Sequence, residues 1–114
     1  MKTGIQDQVH ATKQNTEDAL IDAINAIKGA ASNPRADTAL LDQARNLHRK
    51  AQFMWDFVSA ENSTGFHNPE YALKILAEST NLARQAQMLA AQSVNDMTLL
   101  TTGTYYQTAK TTTP

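Results

Sequence analysis

Two breaks in an otherwise helix-forming chain decide what it can become. The first is Gly29 followed by Asn33-Pro34; the second is Gly65 followed by Asn68-Pro69. Proline lacks the amide proton that a helix interior needs, and its ring clashes with the carbonyl four residues back. A helix therefore stops before each Asn-Pro pair or starts at it. Around the breaks, apolar residues recur at spacings of three, four and seven, the period of an amphipathic helix. The chain is thus cut into three long helical segments with short connections, and short connections favour antiparallel neighbours. The expected fold is all-α, an elongated antiparallel bundle of about three long helices over residues 1–97. A threonine-rich C-terminal tail, residues 98–114, follows it.

In the first segment Ile5, Val9, Leu20, Ile21, Ile24 and Ile27 form the stripe, and the helix is expected to stop at Gly29. Between Val9 and Leu20 the stripe weakens, because His10, Lys13, Gln14 and Asn15 make that stretch polar. The second segment is the strongest. Asp37 or Thr38 can cap it, and Leu40, Leu41, Ala44, Leu47, Ala51, Met54, Trp55 and Val58 line one side. It should end near Glu61-Asn62, before the loop Ser63-Thr64-Gly65. The third opens with Asn68 as N-cap, Pro69 where a missing N–H costs nothing, and Glu70 facing the helix dipole. Tyr71, Ala72, Ile75, Leu76, Leu82, Ala83, Ala86, Leu89 and Ala90 are its expected buried face. Beyond about Asn95 the threonine content argues against helix, with Tyr105 or Tyr106 available to dock on the bundle.

Composition narrows the function. Ten basic and eleven acidic residues give a net charge of −1 and are mixed along the chain, which removes any case for nucleic acid or an acidic membrane surface. No run approaches the roughly 18 apolar residues of a membrane span. The N-terminus lacks the apolar core of a signal peptide. The absence of cysteine excludes disulfides, thiol catalysis, zinc–thiolate sites and covalent haem attachment through Cys-x-x-Cys-His. No Gly-rich phosphate loop, Ser-His-Asp order, metalloprotease helix or EF-hand loop is present. The chain alone carries no complete active site.

One residue stands out as a candidate ligand. His67 precedes the Asn68-Pro69 helix start and follows Phe66 and a glycine break, a corner at which an imidazole can be presented to a metal. A lone histidine at a helix start is more often a surface or capping residue, since metal sites converge several ligands. His10 and His48 lie within helices on polar or basic surroundings and read as structural, His48 on a solvated face beside Arg49 and Lys50. Asp56, Glu61 and Glu70 also read as structural, with Lys74 a candidate partner for Asp56. Phe53, Trp55, Phe57 and Phe66 read first as hydrophobic core around the corner, and second as walls for a flat cofactor such as a porphyrin.

The stretch Ala51-Gln-Phe-Met-Trp-Asp-Phe57, followed by Gly65-Phe-His-Asn-Pro-Glu70, resembles the C-terminal region of the ammonia-forming cytochrome c nitrite reductases, the pentahaem cytochrome c-552 family. The likeness is clearest over residues 45–90, looser through the first helix and absent from the tail. It implies a periplasmic, mostly helical homodimer that reduces nitrite to ammonium with six electrons through five c-type haems. By the resemblance, His67 matches a distal axial ligand of one bis-histidine haem, and the second and third helices would build the dimer. The family's haem attachment motifs, lysine-ligated catalytic haem, active-site arginine, tyrosine and histidine, and calcium site all lie upstream of this region. The loop Glu61-Asn-Ser-Thr-Gly65 departs from members that carry a Ser-His pair there. The expectation is a domain that ligates haem c held by the upstream part of the same protein and is not catalytic alone. The competing expectations are a cofactor-free helical interaction module and a domain of another multihaem protein, such as a hydroxylamine-type oxidoreductase.

Overall fold

A computed structural model describes residues 4–65 and 68–100; the side chains of residues 5, 6, 97 and 98 lie outside the description. The described residues form three helices, α1 (Ile5–Ala31), α2 (Thr38–Ser63) and α3 (Pro69–Val94), followed by a 3-10 turn, Met97–Leu100. At 26 or 27 residues each helix is about 40 Å long.

Side-chain bonds between helices give the register directly. His48 Nε2 lies 3.0 Å from the Leu20 carbonyl, and Trp55 Nε1 donates to the Lys13 carbonyl at 3.0 Å. A step of seven residues forward on α2 is thus seven back on α1, so the two are antiparallel. The Ser79 hydroxyl donates to the Ala51 carbonyl at 2.7 Å, and the Asp37 N–H donates to the Ser93 carbonyl at 2.8 Å, which runs α2 antiparallel to α3 in the same way. Between α1 and α3 the pairs Thr16–Thr80 and Asp22–Arg84 advance together, so these helices are parallel. The antiparallel three-helix bundle expected from the two breaks is the fold.

Alanine dominates the core. Ala19, Ala23, Ala26, Ala30, Ala44, Ala51, Ala83, Ala86 and Ala90 pack with Leu20, Ile27 and Leu41 in the main cluster, while Val9, Val58, Ala72 and Leu76 form a second. Small side chains let helix backbones approach closely, and that explains the helix-to-helix bonds onto carbonyls. The polar stretch of α1 is bridged by a buried threonine rather than left outside. The Thr16 hydroxyl lies 2.7 Å from that of Thr80, 2.9 Å from the Thr12 carbonyl and 3.3 Å from the Leu76 carbonyl. A buried hydroxyl is tolerated because it is satisfied.

The ends follow local chemistry, with one correction. Gly29 does not stop α1, which continues to Ala31. Ala30 is fully buried and alanine is the best helix former, and together these outweigh the cost of a helical glycine, about 1 kcal/mol. The stop comes at Ser32, whose hydroxyl donates to the Gly29 carbonyl at 2.7 Å, with Pro34 close behind. Asp37 caps α2, its Oδ1 accepting from the N–H groups of Ala39 and Leu40 at 3.0 and 3.2 Å. Asp37→Ala is therefore expected to cost about 1 kcal/mol and Asp37→Asn very little, read from paired thermal unfolding curves.

Asn95, in the left-handed conformation (φ 53°), ends α3. The threonine-rich segment begins on the bundle: Leu99 packs on the main cluster, and Gln87 Nε2 donates to its carbonyl at 2.6 Å. Gln87 Oε1 accepts from Arg84, which also reaches Asp22 at 2.8 Å, so α1, α3 and the turn share one polar network. Residues 101–114, with Tyr105 and Tyr106, lie outside the described residues.

Candidate functional site

The corner between α2 and α3 is built by hydrogen bonds on both of its flanks. On the α2 side the Thr64 N–H donates to the Ala60 carbonyl and the Gly65 N–H to the Asn62 carbonyl, each at 3.2 Å. The Ser63 and Thr64 hydroxyls donate to the carbonyls of Ala60 and Glu61, both at 2.9 Å. Gly65 takes φ 84°, and an added Cβ there would meet nothing within 4 Å. Backbone conformation alone therefore asks for glycine at this position. On the α3 side Asn68 Oδ1 accepts from the Tyr71 N–H at 3.2 Å, and Pro69 opens the helix. The sequence-level cap assignment is thus met atom by atom. Phe66 and His67, between these flanks in the chain, lie outside the described residues.

The other histidines have different positions. His10 is exposed. His48 is half-buried rather than on a solvated face, because its ring turns across to the Leu20 carbonyl and joins α1 to α2. The signal that could have found this was its spacing of seven from Trp55, which places both rings on one side of α2. Asp56 is exposed and accepts from Gln52 on its own helix at 3.1 Å, in place of the Lys74 pairing suggested by charge. Glu70 is exposed and Glu61 half-buried. Among the described residues no three histidine, cysteine, aspartate or glutamate side chains converge as a metal site.

The aromatic stripe divides. Trp55 packs, with its Nε1 on the Lys13 carbonyl and the Lys13 ammonium 4.9 Å from the ring centre. Phe53 and Phe57 are not core around the corner, and Tyr71 is not on the buried face of α3: their exposures are 69%, 36% and 47%. The reason is phase. The buried line of α2 runs through Leu41, Ala44, Ala51 and Val58, and Phe53 stands two residues, or roughly 200°, from Ala51. Phe53, Met54, Phe57, Tyr71 and Ile75 instead line a shallow apolar cleft on the outside of α2 and α3. Tyr71 lies in the first turn of α3, so the cleft starts beside the corner.

Comparison with known proteins points to the family that the sequence resembles. The cytochrome c552 family model matches residues 2–113. The cytochrome c nitrite reductase subunit NrfA of Nitratidesulfovibrio vulgaris is 54% identical over 54 residues, covering 47% of this chain and 10% of the relative. The match thus spans about a tenth of that relative's length. No solved structure matches it. With nearly its whole length matched by the family model, the chain belongs to the cytochrome c552 family.

Proposed function

We propose that this chain is the C-terminal helical part of an ammonia-forming cytochrome c nitrite reductase, acting in the periplasm within a longer polypeptide. The single observation that carries the reading is the 54% identity to a nitrite reductase subunit. The family match supports it. The absence of cysteine is consistent with a part that covalently attaches no haem itself.

In this reading His67 gives one imidazole nitrogen to a haem iron attached elsewhere in the protein. Such a haem would supply electron transfer when bound. The hydrogen bonds that tie both flanks of the corner support this limited role. The other ring nitrogen needs an acceptor to orient the imidazole. Asn62, in the last turn of α2, is nearer in the chain than Asp56, whose carboxylate already accepts from Gln52. The family resemblance also implies a homodimer, with α2 and α3, each about 40 Å long, as its contact.

The test is biochemical. The native polypeptide that contains this chain, purified with its haem, is expected to convert nitrite to ammonium when given a one-electron donor dye. The 114-residue chain is expected to bind no haem covalently and to show no such activity. A haem-free native polypeptide would refute the reading.

A further inference from the structure

We propose that Gly65 is the positioning residue for His67: its left-handed backbone angle sets where the imidazole stands relative to the iron. This rests on the reading that His67 ligates a haem.

The first observation separates two reasons for a glycine. A position can exclude a Cβ because the atom would collide with a neighbour, or because the backbone angle is one that other residues avoid. At Gly65 a Cβ would meet nothing within 4 Å, while φ is 84°. Packing leaves the position free, and the backbone angle alone constrains it. In the left-handed region the Cβ of an L-residue crowds the following carbonyl oxygen, and Asn is a regular exception. Asn95 takes that region at the end of α3 in this chain, with φ 53°.

The second observation is that the corner has no slack in which a change at Gly65 could be lost. Val58, seven residues before Gly65, and Ala72, seven after it, belong to one buried cluster. The end of α2 is tied by the Thr64 and Gly65 N–H groups. The start of α3 is tied by Asn68, whose side chain accepts from the Tyr71 N–H and whose carbonyl accepts from the Ala72 N–H at 2.9 Å. Gly65, Phe66 and His67 therefore span two fixed ends. Each residue brings two soft dihedrals, and three residues bring just enough to join two ends of set position and direction. A turn of residue 65 out of the left-handed region must then be taken up by the backbone of residues 66 and 67. The second of these is the proposed ligand. Relief of strain at position 65 thus moves the imidazole.

Ligand competition in the haem-loaded native polypeptide tests this, with His67→Ala identifying the haem concerned. Added cyanide competes with imidazole for a haem iron, and electron paramagnetic resonance tells the two ligations apart. Gly65→Ala is expected to let cyanide replace the imidazole on that haem at about a tenfold lower concentration, the penalty of a left-handed alanine read as weaker ligation. Gly65→Asn should stay within about twofold of the parent sequence, because Asn tolerates the angle. Gly65→Ser, which lacks that tolerance, takes the place of Gly65→Ala if the alanine variant does not load haem. A purely structural glycine would lower the unfolding midpoint of Gly65→Ala and leave the cyanide concentration unchanged, and that result overturns the proposal. Equal shifts for Gly65→Ala and Gly65→Asn overturn it too, since the angle would not be the cause. His67→Ala separates the two claims. If it converts no haem, His67 is not a ligand and both fall. If it converts one haem and Gly65→Ala leaves displacement unchanged, only the positioning role falls.

Discussion

Leu76→Ala is expected to destabilise the bundle by about 2–5 kcal/mol, toward the upper end of that range. Leu76 is fully buried and is the largest of the fully buried side chains among the described residues. It packs with Val9, Val58 and Ala72, so it joins all three helices. A cavity closes when neighbours move in, but the neighbours here are short side chains on helices already in close approach. Ser79 Oγ on the Ala51 carbonyl at 2.7 Å and Thr16 Oγ1 on the Leu76 carbonyl fix those approaches one turn away. Of a total near 5–15 kcal/mol, the loss would be a large fraction, and each kcal/mol lowers the midpoint of a domain this size by about 4–8 °C. Differential scanning calorimetry should therefore record a drop well above 10 °C. Phe53→Ala removes a larger side chain from an exposed site and should shift the same midpoint by no more than a degree or two. Equal drops for the two variants would mean that the core is not where the buried alanines place it.

That contrast also shows what could be read from the chain before its structure. Asp37, Asn68, Pro69 and the two Asn-Pro breaks act over three or four residues, so helix number, order and two of the caps were legible. Gly29 was misread because its fate depends on the burial of Ala30 against other helices, a tertiary fact. Phe53, Phe57 and Tyr71 were misread because apolar character says that a residue prefers cover, not which element supplies it. The helix phase set by Leu41, Ala44, Ala51 and Val58 turns the two phenylalanines outward. Thr16, Ser79 and Gln87 are polar and buried because of partners on other elements: Thr80, the Ala51 carbonyl and the Leu99 carbonyl. No local pattern announces such pairs. His67 is the opposite case. Its physics in isolation is ordinary, and only the residues around it, Ala51 to Phe57 and Gly65 to Glu70, mark it.

In the haem-loaded native polypeptide, His67→Ala is expected to convert one low-spin haem to the high-spin form while the others keep their spectra. An imidazole nitrogen is a strong donor to haem iron, and a methyl group is none, so the iron proposed to lie opposite His67 would lose its sixth ligand. Added free imidazole should restore the low-spin band, because the space left by the side chain admits the same donor. The spectrum separates this from loss of the corner. Asn68→Ala removes the acceptor of the Tyr71 N–H and should cost about 1 kcal/mol, yet it leaves the imidazole in place and should leave every haem low-spin. In the 114-residue chain the ranking reverses: Asn68→Ala should lower the unfolding midpoint, and His67→Ala should stay within about 0.5 kcal/mol of the parent sequence. A ligand for a group outside the chain and a cap for a helix inside it must give these opposite patterns. If His67→Ala leaves all haems low-spin, the iron takes its ligand from another residue and the corner is purely structural.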